Sequence, residues 1–217
     1  MGKTALLIID MQKDFTLPGA PFYVDTGLRV LPKVREALAA FREAGLPVVH
    51  VFRYYRADGS DVEITRYAGF VEAGGGCVRG TEGAEILDEI GPVEGEYLIV
   101  KQRWSAFFRT ELDNLLRRLG VDQVVLAGVQ TPNCIRGTAW DANSLDYEVV
   151  VLEDATGAKT EEVHRANLFD MANIGIDIYP TTAFCSQLPD PPKHRYREAI
   201  QRDIEAGGIV PEPPEYR

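Results

Sequence analysis

Apolar positions along this chain come in two rhythms. Short, largely apolar runs occupy residues 5–9, 47–52, 97–100, 123–127, 148–152 and 176–179. Runs of that length with almost no polar face are what strands of a parallel sheet, buried on both sides, require. Between them the period changes to that of a helix. Val30, Val34, Leu38 and Phe41 share one face of a segment from 28 to 44, and Gly45 follows where a C-terminal cap belongs. Thr110-x-x-Asp113 has the form of a capping box opening a helix that closes at Gly120. Further helices are expected from near Cys134 to Leu145 and over 161–171. Strands alternating with helices predict an α/β fold: three layers, α/β/α, around a six-stranded, mostly parallel, Rossmann-like sheet.

Both rhythms fail in two places. From 53 to 95 there is no sustained period; Gly74-Gly75-Gly76 lies inside this stretch, and a short helix is expected over 81–90. So long a connection in a compact domain is usually functional or mobile. Beyond Pro180 the chain becomes Pro-rich and polar, with an amphipathic helix expected over 194–205. The division read from this is a domain over 1–180 and a C-terminal arm over 181–217. The arm either belongs to the same domain or packs on a partner subunit.

Composition narrows the function. At 217 residues, 45% apolar and 26% charged, the chain is long enough for one α/β domain with a full core. A net charge of −10 argues against nucleic acid as a partner. No apolar run approaches the roughly 18 residues of a membrane span, so no membrane partner is expected. The first apolar run is too short for a secretory signal and reads as a strand. Cys77, Cys134 and Cys185 are an odd, scattered set with no Cys-x-x-Cys pair, which suits a reducing cytoplasm rather than a disulfide framework. His50, His164 and His194 have no i,i+4 partner, so neither a metal nor a cofactor signature is present.

Candidate chemistry gathers at strand ends, where open parallel sheets bind ligands. Asp10 terminates the first strand, Lys101 the third, and Cys134 follows the fourth. Each alone is as well explained as an ordinary polar strand end. A thiol attacks as thiolate, and a nearby ammonium or helix N-terminus stabilises that form. A carboxylate can take the thiol proton, deliver it to a leaving nitrogen and then activate water. The Gly128-Val129-Gln130-Thr131-Pro132-Asn133-Cys134 turn would aim backbone N–H groups at one point, as an oxyanion hole does. A plain helix start with proline near its first position accounts for it equally well.

At these residues the chain resembles the isochorismatase-like hydrolases, a superfamily that includes nicotinamidases, N-carbamoylsarcosine amidase, ureidoacrylate and biuret hydrolases, and isochorismatases. The matching blocks are Leu7 to Phe15, Val100-Lys101 with Ser105 to Phe108, Gly128 to Arg136, Asp141-Ala142, and Leu152 to Thr156. The resemblance implies a Cys134, Asp10, Lys101 triad and a cis peptide at Val129–Gln130. It implies an oxyanion hole from the N–H groups of Gln130 and Cys134, and a homodimer or homotetramer. Nicotinamidases carry an Asp-x-His pair and a further His after the second strand; here that region reads Arg53-Tyr54-Tyr55-Arg56-Ala57-Asp58, without metal ligands. Several isochorismatases lack the cysteine, so its retention favours C–N bond hydrolysis of a small amide, carbamoyl or ureido compound through a thioester. Vinyl-ether hydrolysis with Asp10 as acid, or a non-catalytic binding subunit, are the alternatives. Phe15 and Trp104 are candidate aromatic walls for a planar substrate, with core packing as the other reading. Arg53, with Tyr54 and Arg56, is a candidate for an anionic substrate group, with a solvated surface as the other. Cys77 and His164 read as structural.

Overall fold

A computed structural model describes residues 2–193 and 196–208. The elements in chain order are β1 (Lys3–Ile9), α1 (Lys13–Thr16), α2 (Gly27–Glu43), β2 (Val48–Arg53), α3 (Ile64–Glu72), β3 (Tyr97–Lys101), α4 (Leu112–Arg118), β4 (Val121–Val129), α5 (Arg136–Ser144), β5 (Glu148–Gly157), α6 (Glu161–Asn173), β6 (Asp177–Tyr179), α7 (Thr181–Cys185) and α8 (Tyr196–Glu205). The six strands form one sheet in the order β3-β2-β1-β4-β5-β6, and every pairing is parallel. None of the described helices is long and apolar enough to cross a membrane.

β1 lies at the centre, paired to β2 on one side and β4 on the other. Its side chains alternate between the two faces. Leu6 and Ile8 join Val30, Val34, Leu38 and Phe41 of α2, while Ala5, Leu7 and Ile9 join Leu112, Leu116, Ala139 and Met171 from α4, α5 and α6. Each large side chain so buried contributes about 1.5–3 kcal/mol. After β1 the chain turns toward β2 and after β4 toward β5, so the two exits diverge and leave a crevice between them.

The boundary near 180 does not mark the edge of the core. Phe184 of α7 is fully buried among the α2-side residues and meets Tyr179 edge-on. Further on, Lys193 donates to the Gly2 carbonyl and pairs with Asp122 at 2.6 Å, tying this segment to the start of the sheet. The expected C-terminal helix is present as α8; position 194, where it was to begin, lies outside the described residues.

Three local expectations change. Residues 81–90 form two 3-10 turns, Glu82–Ala84 and Asp88–Ile90, instead of one helix. α3 is not among the expected helices: Ile64, Tyr67 and Val71 follow helical spacing, but this apolar stripe faces solvent and only Phe70 of the helix is buried. At α4 the capping box does not form, and the residue before the helix is Glu111 with no side-chain cap. Thr110 Oγ1 accepts from Leu112 N–H at 3.3 Å, but Asp113 turns away to Arg117 and to the Tyr147 hydroxyl.

Candidate active site

The sheet's carboxyl edge carries three charged side chains in a row, one from each of β1, β2 and β3. Asp10 follows β1 with φ of 52°, a left-handed conformation that Asp tolerates better than most residues, and its N–H bonds to the Val51 carbonyl. Arg53 ends β2, and Lys101, its register partner, ends β3. All three are fully buried. Lys101 Nζ reaches past β2 to Asp10 Oδ2 at 2.6 Å and lies 3.5 Å from Cys134 Sγ. The structure therefore brings Asp10, Lys101 and Cys134 into one cluster from positions far apart in the chain.

Arg53 belongs to the same cluster, neither in solvent nor at the surface. Its Nη2 approaches Cys134 Sγ at 3.4 Å and donates to the Arg103 carbonyl at 3.1 Å. Its Nη1 bonds to Glu63 Oε1 and to the Tyr55 hydroxyl, both at 2.5 Å, and to the Gln102 carbonyl. The Tyr55 hydroxyl donates in turn to Glu63 Oε2. Burial would raise the Glu63 carboxyl, but the Arg53 guanidinium and the Tyr55 hydrogen bond hold it below its ordinary value. Arg56 instead pairs with Asp58 at the exposed surface, and Tyr54 lies beneath Arg79.

Charges in this cluster cancel in pairs: Lys101 against Asp10, Arg53 against Glu63. Burial pushes the Cys134 thiol above its ordinary value, and the Asp10 carboxylate adds to that push. The pull of Lys101 and Arg53 in the other direction is outweighed. Enclosure thus works against the thiolate that a nearby ammonium alone would favour. Among the described residues no donor meets the buried Asp10 Oδ1 in regular hydrogen-bond geometry, while the carboxylate lies close enough to the Cys134 thiol to add to its upward push.

The segment that carries Cys134 is set by close packing at the crevice. Gly128 has φ of 110°, and a Cβ there would run into the backbone carbonyl oxygen of Ile9, so only glycine lets β4 lie this close to β1. The Val129–Gln130 peptide is cis. Thr131–Ile135 is a π-helical turn in which the Gln130 carbonyl accepts from the N–H groups of Asn133 and Ile135, both at 3.1 Å. Thr131 Oγ1 meets His164 Nδ1 at 2.8 Å, so the mostly buried His164 braces this turn from α6.

A cavity of about 580 Å³ opens beside the turn, walled by Trp104, Phe108 and Trp140 and reaching Pro132 and Asn133. Trp104 is 44% exposed and faces this space, whereas Phe15 is 2% exposed, packs on Phe22 and does not line it. Cys77 is a buried thiol raised by burial and by Asp10 and Asp14, a combination that disfavours its thiolate. Tyr55 and Glu63 were not singled out in the sequence; an Arg-x-Tyr at a strand end followed by an acid is too common a pattern to do so.

A nicotinamidase-type metal does not fit these residues. Where its ligands would follow β2 stand a guanidinium, which has N–H donors and no lone pair, and a phenol already bonded to Glu63. Among the described residues no three His, Cys, Asp or Glu side chains cluster as a metal-holding group.

Comparison with known proteins places this geometry in context. Residues 4–183 match the family model described as the Isochorismatase domain. The chain is 47% identical over 176 residues to a protein of Arabidopsis thaliana named as a probable inactive nicotinamidase, covering 80% of this chain and 90% of that one. It is 37% identical over 171 residues to a maleamate amidohydrolase of Pseudomonas putida, covering 78% and 79% respectively. A solved isochorismatase family protein from Desulfovibrio vulgaris shares 50% identity with a TM-score of 0.83, covering 87% of this chain and 99% of that one.

Proposed function

The chain belongs to the isochorismatase family of hydrolases, and from that premise we propose that it is a metal-free cysteine amidohydrolase acting on a small carboxamide, carbamoyl or ureido compound. The observation that carries this reading is the buried Lys101–Asp10 pair at 2.6 Å, with the Cys134 sulfur 3.5 Å from the same ammonium. A carboxylate, a thiol and a fixed cation in one water-poor site are the parts that acyl transfer needs.

Asp10 removes the thiol proton as sulfur attacks the carbonyl carbon, and the carbonyl electrons move to oxygen. The oxyanion rests on the N–H groups of Gln130 and Cys134. Collapse breaks the C–N bond, Asp10 returns the proton to the leaving nitrogen, and a thioester remains on Cys134. Asp10 then takes a proton from water, hydroxide attacks the thioester, and the departing sulfur recovers that proton. Lys101 holds Asp10 in line and balances charge throughout. With burial working against the thiolate, the thiol proton needs a nearby acceptor, and Asp10 is as necessary as the sulfur.

The aromatic cavity walled by Trp104 and Phe108 supports a substrate with a short planar or apolar body; its lining reaches Pro132 and Asn133, next to Cys134 in the chain, and does not include Cys134 itself. The Pseudomonas putida relative, a maleamate amidohydrolase, makes short unsaturated amide acids the first compounds to try. Three free cysteines support a cytoplasmic location, and homodimer or homotetramer assembly is proposed from the resemblance alone.

An ammonia-release screen of small amides and ureas tests the proposal, with Cys134→Ala as control. Release that depends on Cys134 is expected; release undiminished in that variant refutes the mechanism. The name of the Arabidopsis relative favours a second reading, a non-catalytic binding subunit, which predicts ammonia from no compound at all.

A further inference from the structure

We propose that Arg53 is a second catalytic cation of this site, holding the charge that develops on the Cys134 sulfur as its proton leaves, with Glu63 and Tyr55 setting how strongly it does so. This rests on the reading of Cys134 as nucleophile.

The geometry gives Arg53 at least equal standing with Lys101. Nη2 is 3.4 Å from Sγ and Nζ is 3.5 Å. The two cations are not equally free to act, however. Lys101 already neutralises Asp10 at 2.6 Å, and its ammonium is held in that contact. The guanidinium stays protonated in a protein at any working pH, so Arg53 is a permanent charge. Four groups fix it from behind and beside: Glu63, the Tyr55 hydroxyl, and the Gln102 and Arg103 carbonyls. Of its N–H groups, Nη2 is the one aimed at the sulfur. Being fully buried, it has no surface from which to clamp an external anion.

Charge conservation explains the arrangement. Before reaction the site is neutral, with two ion pairs and a thiol. Once the thiol proton moves to Asp10, the thiolate stands between Lys101 and Arg53, Asp10 is neutral, and Glu63 still carries its charge. The sum is unchanged, so proton transfer inside this low-dielectric pocket creates no net buried charge. The charged and titratable groups around the sulfur are Asp10 from β1, Arg53 from β2 and Lys101 from β3, with Glu63 and Tyr55 behind Arg53.

A merely structural Arg53, pinning residues 63, 102 and 103 to the sheet edge, would be disturbed by loss of either partner in the same sense. An electrostatic one responds with opposite signs. Iodoacetamide alkylation of Cys134 in the full chain, followed against pH by peptide mass mapping, reads this without any substrate. Arg53→Gln is expected to raise the apparent thiol pKa by about 1–3 units, and Arg53→Lys by less. Glu63→Gln, which removes the opposing charge and keeps the arginine, is expected to lower it by about one unit. Shifts in the same direction in Arg53→Gln and Glu63→Gln, or no shift in folded variants, overturn the proposal. Should Arg53→Gln fail to fold, the Glu63→Gln result alone decides, a lowered value supporting and an unchanged or raised one refuting. Turnover by Cys134→Ala, measured separately, would instead remove the nucleophile reading.

Discussion

Asp10→Asn and Lys101→Met, singly and together, probe the buried pair on which the site is built. At 2.6 Å and an effective dielectric of about 20, the attraction is of order 6 kcal/mol, set against a desolvation cost of several kcal/mol for each ion. Removing one charge strands the other with no exposed surface, which should cost about 3–5 kcal/mol. That is a large part of the roughly 5–15 kcal/mol that a domain has in total. Asparagine suits the φ of 52° at position 10, so Asp10→Asn tests charge rather than backbone. In the double variant both charges are gone, and what remains is an amide lacking one partner, about 1–3 kcal/mol. Urea unfolding of the four proteins should therefore find the double variant no less stable than either single one, with a coupling of at least about 2 kcal/mol. Additivity within about 0.5 kcal/mol, or single losses under about 1 kcal/mol, would refute the paired-charge account.

Other consequences can be checked independently. Gly128→Ala sets a methyl group against the Ile9 carbonyl at a φ of 110°, and should cost about 3 kcal/mol or more; an unchanged melting temperature would contradict the packing described. Both tryptophans of the chain, Trp104 and Trp140, line the cavity, so a bound substrate or competitive inhibitor should change intrinsic fluorescence, and Trp104→Ala should raise KM more than it lowers kcat. Burial opposes ionisation of Glu96, yet the Arg42 hydrogen bond, the Val93 N–H and His50 bring its pKa down to about 2. Its stabilising effect is thus complete above the ordinary carboxylate range and fades as pH falls toward about 2, and Glu96→Gln should flatten the acid limb of the stability curve there. His50, lowered by burial, also favours folding as pH rises through its ordinary range, so the remaining slope near neutrality in that variant should persist.

Much of this molecule can be read before folding it, for reasons specific to the residues. The runs that became β1, β2, β4 and β5 are buried on both faces, so nearly every position is apolar and the strand signal is strong. Asp10 and Lys101 stand out because each interrupts such a run at its carboxyl end, where a parallel sheet directs its ligands. What stayed hidden depends on contacts between irregular segments. Arg53 is buried because Glu63 and Tyr55, in a stretch with no period, fold back to meet it. The upward push on the Cys134 thiol depends on how completely it is enclosed, which no spacing expresses. α3 carries helical spacing at Ile64, Tyr67 and Val71, but over only nine residues with Gly69 inside them, too short a stretch to stand out in an irregular segment.

Trapping the acyl-enzyme tests the central claim most directly. With an amide identified by the ammonia screen, turnover is stopped by rapid acid quench and the peptides are mapped by mass. The account predicts the acyl increment on the Cys134 peptide, removed by hydroxylamine and absent in Cys134→Ala. An increment on another residue, or undiminished turnover without Cys134, would contradict it.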